Sequence, residues 1–127
     1  PRLISSAASD VYKRQMDTHP ICNPSVVAHH AAAFNGNAED KAGWMRYFID
    51  KGLSAVEALA DHPKTGTFLH GETPGLADII LVPQLYNARR WSVALDNMPR
   101  LVAVEEACLS MAAFVAAAPE SVRPADD

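Results

Sequence analysis

The stretch GLADIILVPQLYNARRW, Gly75–Trp91, decides the fold. Its apolar residues Leu76, Ile79, Ile80, Leu81, Val82, Leu85 and Tyr86 come round nearly the whole helical wheel, the pattern of a helix buried at the centre of a bundle. Pro83 stands inside it. A mid-helix proline removes one backbone hydrogen bond and crowds the preceding turn. A bend is therefore expected near Ile79–Pro83, with the freed carbonyl satisfied in another way.

Upstream, HPKTGTFLHGETPG, His62–Gly75, is rich in Gly and Pro and reads as a loop. Before it, the run from Glu39 to Asp61 spaces Trp44, Phe48, Ala55, Val56 and Leu59 as one apolar face. Asp40, Arg46, Asp50, Lys51 and Glu57 fall mostly on other faces, so an amphipathic helix is predicted. Gly52 weakens it by roughly 1 kcal/mol relative to Ala, which marks a close helix contact or a bend. Further upstream, Asn23 can cap a helix whose first position is Pro24 and which runs to about Phe34. Asn35-Gly36-Asn37 then turns the chain. Downstream, helices are expected over about Pro99–Ser110, with Leu101, Val104, Ala107 and Cys108 inward, and through AAFVAAA. No alternating β-branched stretch competes. The fold class is all-α: one helical domain over residues 16–118, followed by a polar tail over residues 119–127.

Residues 1–15 are set aside. SSAASDVYKRQ, Ser5–Gln15, shows neither helical nor strand periodicity and lacks the apolar core of a signal peptide. Translated back into DNA, it resembles a transposase-type sequencing adapter. It is expected to be an appended, disordered tail. The whole chain has 11 Lys and Arg against 15 Asp and Glu, a formal charge of -4, and without residues 1–15 it is more acidic still. That balance argues against a nucleic-acid surface. Apolar residues make up 49% of the chain, but no wholly apolar run, Ile79–Pro83 included, is long enough to cross a bilayer. Cys22 and Cys108 form no CxxC pattern, which fits a reducing, cytoplasmic compartment without disulfides. Five histidines, His29-His30 among them, offer no HExxH or Cys/His quartet, so no metal site is expected.

The run LADIILVPQLYNARR resembles the central helix of the C-terminal domain of zeta-class glutathione transferases, the maleylacetoacetate and maleylpyruvate isomerases. THPICNPS, LDNMPRLVAVEEAC and AAFVAAAPESVRPAD match the same domain in the same order. The resemblance implies a glutathione S-transferase C-terminal-like helical bundle, with a thioredoxin-like N-terminal domain outside this chain. It implies glutathione as a recycled cofactor, a dicarboxylic keto-acid substrate isomerised from cis to trans, and a homodimer. The thiol-activating motif would lie in the missing domain, so no catalytic residue is assigned here and the chain alone is expected to be inactive. A transferase acting on other electrophiles, or a non-catalytic interaction module, would share the fold.

Carried over by residue, the resemblance assigns glutathione binding to His19, Asn23, Pro24 and Ser25, and a substrate carboxylate to Arg90. Chemistry is compatible with both assignments. A helix N-terminus favours an anion, and a guanidinium can hold a carboxylate through two parallel bonds. On residue type alone, Asn23 equally fits a plain cap, and Arg89-Arg90 a solvated pair complementing the helix dipole; Arg89 is expected to face solvent. In the wider superfamily the central helix opens with Ser/Thr-x-x-Asp, a capping box. Here Gly75 replaces the first member, and Asp78 is expected to keep the other half by reaching back to the Gly75 N–H.

Overall fold

The computed structural model describes Val11 and residues 18–122. Asn23, with extended backbone, caps the helix α1 (Pro24–Ala33), where Pro24 needs no hydrogen-bond partner. The turn after it uses Asn35 at φ 52°, a left-handed conformation that asparagine tolerates. α2 (Ala38–Leu59) opens on a full capping box: Asn37 Oδ1 accepts from Glu39 N at 2.7 Å and Asp40 N at 3.1 Å, and Asp40 Oδ2 accepts from Asn37 N at 2.7 Å. There follow α3 (Leu76–Arg90), α4 (Pro99–Leu109), the short α5 (Ala112–Ala116), and α6 (Pro119–Val122). The last is one helical turn at the start of the stretch read as a polar tail. Among the described residues there is no strand, only isolated bridges in the loop before α3. The fold is all-α. The expectation of a disordered tail over residues 1–15 falls outside the described residues except at Val11, which is half-buried against the core.

α2 is the element around which the others gather, touching α1, α3 and α4, while α3 also packs on α4. Ile49, Leu53, Leu69, Leu85, Met98, Leu101 and Cys108 are almost wholly buried where these helices meet. Two sequence expectations about buried faces need correction. On α2 the core face runs through Met45, Ile49, Leu53 and Val56, one position round from Trp44 and Phe48, which are half-buried; Leu59 is exposed and Glu57 is buried. The two aromatics form a shoulder, with Trp44 lying between His30 (4.2 Å between centroids) and Phe48 (4.7 Å).

The second correction concerns α3. The helix is continuous through Pro83 but is not enclosed all round. Ala77, Ile80, Leu81, Gln84, Leu85 and Ala88 are buried, whereas Leu76 (61% exposed), Ile79 (56%), Pro83 and Tyr86 face outward. At about 100° per residue, the outward positions fall within an arc of about 80°. Helices α2 and α4 cover the opposite side. The carbonyl that Pro83 leaves without its N–H belongs to Ile79, on this open face, where solvent can reach it.

Gly52 marks a close contact, as the sequence suggested. A Cβ placed there would lie 2.0 Å from Thr18 Oγ1. The loop 62–75 also contributes to the interior, sending Phe68 and Leu69 into the core and turning at Gly71 with φ 89°.

Candidate functional site

The residues assigned to glutathione form one exposed turn at the start of α1. His19, Asn23, Pro24 and Ser25 are all solvent-facing, while Thr18 just before them and Cys22 among them are buried and hold the turn down. Asn23 Oδ1 accepts from both Ser25 N (3.0 Å) and Ser25 Oγ (2.8 Å). The cap is thus closed on itself, and the Asn23 amide N–H groups and the His19 ring are turned to solvent as donors. Trp44 Nε1 donates to Ile21 O at 2.9 Å, tying the turn to α2.

The start of α3 is built differently. Asp78 is 1% exposed, and its Oδ2 accepts from Gly75 N at 2.7 Å while Oδ1 accepts from Leu69 N at 2.9 Å. Having no side chain, Gly75 supplies only its backbone, so half a capping box remains. One carboxylate therefore both ends the loop and starts α3.

At the other end of α3 the two arginines diverge. Arg89 is exposed, yet it is also tied to α4: Nη1 and Nη2 each donate to an oxygen of Glu105, whose side chain is buried. This bond to Glu105 raises the guanidinium pKa above its ordinary value. Arg90 is exposed and makes no ion pair among the described residues. On the helical wheel it falls within the same arc as Leu76, Ile79, Pro83 and Tyr86. Its guanidinium thus stands at the end of an open apolar strip, where it can pair with a carboxylate.

Among the described residues, no hydrogen bond or ion pair joins Arg90 to the His19–Ser25 turn; the two lie on helices that share α2 as a neighbour. Neither cysteine offers a thiolate. Burial pushes the Cys22 thiol up to about 11, and burial, with Asp78 and Glu105 nearby, pushes Cys108 up to about 11. Both stay protonated and unreactive at neutral pH. No cluster of three or more His, Cys, Asp or Glu suited to a metal occurs among the described residues. No helix among them is long and apolar enough to cross a membrane.

Sequence reasoning missed Glu57. Buried near the end of α2, it accepts from Arg100 N (3.2 Å) and Leu101 N (3.0 Å), the otherwise unpartnered donors at the start of α4. Arg100 completes the junction, with Nη1 on Glu57 (3.2 Å) and Nη2 on Asp61 (2.8 Å). The available clue was Met98-Pro99, a proline-led helix start with no local capping side chain.

The family model for the glutathione S-transferase C-terminal domain matches residues 28–107. The chain belongs to that family. It is 46% identical over 113 residues to the maleylacetoacetate isomerase of Rhizobium meliloti, covering 89% of this chain and 53% of that protein. The holo structure of a maleylpyruvate isomerase, a bacterial glutathione S-transferase of the zeta class, superposes with a TM-score of 0.85 at 36% identity, covering 98% of this chain and 57% of that one. The maleylacetoacetate isomerase of Anaeromyxobacter dehalogenans, with glutathione bound in its active site, superposes at 0.87 and 36% identity, covering 97% and 55%. The C-terminal helical domain of a zeta-class transferase is what this chain resembles throughout its described length. It spans about half the length of the curated relatives it matches.

Proposed function

We propose that this chain is the helical half of a glutathione-dependent cis–trans isomerase acting on maleylacetoacetate or maleylpyruvate in aromatic catabolism. The observation that carries the reading is Arg90, exposed in the open apolar arc of α3 and without an ion pair among the described residues. Bound glutathione supplies a thiolate that adds reversibly to the conjugated cis double bond, allowing rotation before it leaves. Arg90 holds a substrate carboxylate and so fixes which end of the molecule meets the sulfur. Leu76, Ile79, Pro83 and Tyr86 shield the flat body of the substrate and exclude water. His19 and Asn23 fit a carboxylate of glutathione, since their outward donors sit where the α1 dipole favours an anion, and Ser25, whose N–H and O–H both go to Asn23 Oδ1, holds the Asn23 amide in place for it. With both thiols protonated, this chain supplies no sulfur nucleophile, which supports placing thiol activation on a thioredoxin-like domain.

We also propose a cytoplasmic protein that works as a homodimer; Phe34, just after α1, and Tyr47, on α2, are exposed aromatics that support an association surface. Arg90→Ala in the full-length enzyme should lower kcat/KM for the substrate by about 30-fold, the loss of a charge-assisted pair, and leave the KM for glutathione in place. Unchanged kinetics would remove Arg90 from the site.

A further inference from the structure

We propose that Gly52 is a positioning residue: its missing side chain is a seat for Thr18, and that seat sets where the His19–Ser25 turn lies on α2. The inference rests on the glutathione reading above for its functional meaning but not for its geometry. Thr18 is 2% exposed although its neighbour His19 faces solvent. A Cβ on Gly52 would overlap Thr18 Oγ1 at 2.0 Å and press on Thr18 Cβ and Cγ2, each at 3.1 Å. Gly52 lies within the helical run of α2, and its backbone is not in the left-handed region that favours glycine. Space, rather than backbone conformation, is what glycine supplies at this position.

The consequences of the seat pass along the turn. Thr18 O accepts from Cys22 N at 3.1 Å, Cys22 is buried in the core, and Ile21 O accepts from Trp44 Nε1. Thr18, Ile21 and Cys22 thus bind one face of the turn to the rest of the protein, and His19, Asn23 and Ser25 are carried on the other. Leu53 of α2 and Gln84 of α3 bound the same small cavity, so the central helix also borders the seat. A side chain at position 52 would lift Thr18 and with it the donors that face glutathione.

Hydrogen exchange followed by NMR on this chain tests the seat. Gly52→Ala should speed exchange at the Trp44 indole N–H and the Cys22 amide while the Arg100 and Leu101 amides of α4 keep their protection. The reciprocal swap, Thr18→Gly with Gly52→Ala, moves the methyl group across the contact and should restore the slow rates. Unchanged exchange in Gly52→Ala, or equal acceleration in α4, overturns the proposal. If Gly52→Ala does not fold, Thr18→Gly alone empties the seat and should show the same local acceleration; no change there overturns it as well. In the full-length enzyme, Gly52→Ala should raise the KM for glutathione about tenfold with little change in kcat, the effect of one misplaced hydrogen bond, and the swap should reverse it. If Asn23→Ala and Ser25→Ala raise that KM and Gly52→Ala does not, positioning fails and the glutathione reading stands. If Asn23→Ala and Ser25→Ala leave it unchanged while exchange responds, the seat stands and the glutathione reading fails.

Discussion

Helices α1 and α4 both begin with proline, and their starts are finished in opposite ways. At α1 the neighbouring Asn23 closes the cap within two residues, in full solvent. At α4 the adjoining Met98 offers nothing, and the carboxylate of Glu57 arrives from α2 to bond Arg100 N and Leu101 N in a buried junction. A local cap leaves the surroundings of a helix start open, so a ligand can share them. A long-range cap uses the same donors to lock two helices together and leaves no room for anything else. The first arrangement is suited to binding and the second to stability.

The largest effect should come from breaking the buried junction. Glu57→Ala strands the Arg100 and Leu101 N–H donors and takes one of two carboxylate partners from the exposed Arg100 guanidinium, which keeps Asp61; it should cost about 3 kcal/mol in urea melts followed by circular dichroism. Asp78→Ala should come next, at about 2 kcal/mol, because it unbinds both Gly75 N and Leu69 N. Its counterpart, Gly75→Thr, should change stability by only a few tenths of a kcal/mol, since a Cβ there meets nothing nearer than Asp78 Oδ2 at 3.8 Å. Equal and small effects of the two substitutions would refute the capping role of Asp78. Asn23→Ala should cost about 1 kcal/mol or less, because water replaces what it removes, but it should weaken glutathione binding in the full-length enzyme, which Glu57→Ala cannot do selectively.

An effect of the same order as the Asn23 cap is alkaline. Both thiols have folded values near 11 against 9.0 for an unburied thiol, so the folded state holds protons that the unfolded chain has already released. Their contribution is complete below pH 9 and is lost as pH rises towards 11. Cys108→Ala should therefore flatten the fall in stability over that interval by about 1 kcal/mol relative to wild type, read from urea melts at each pH.

The helices were legible because their boundaries are written locally. Asn23-Pro24, the Asn35–Asn37 turn and the Gly/Pro-rich loop 62–75 act within a few residues of themselves. The buried faces were less legible. A large aromatic weighs heavily in any periodicity, yet Trp44 and Phe48 lie at the edge of the core, held by ring contacts and by the indole N–H bond to Ile21. The open arc of α3 was invisible because Leu76, Ile79 and Tyr86 are as apolar as its buried residues, and only the placement of neighbouring helices separates them. Ion pairs across long separations escape a reading along the chain: Glu57 finds Arg100 43 positions away, and Arg89 finds Glu105 16 positions away. For the candidate site, sequence could name Arg89-Arg90 as a pair, but only the placement of Glu105 tells the tethered arginine from the free one.

The indole of Trp44 touches the His30 and Phe48 rings while its N–H is committed to Ile21 O, a residue of the turn that carries His19 and Asn23. The chain holds one other tryptophan, Trp91, after α3. With Trp91→Phe as background, the emission of Trp44 becomes an optical gauge of that turn. Lifting the turn would free the indole N–H to water and shift the spectrum to longer wavelength. The protein thus carries its own dye at the place where a ligand would be felt first.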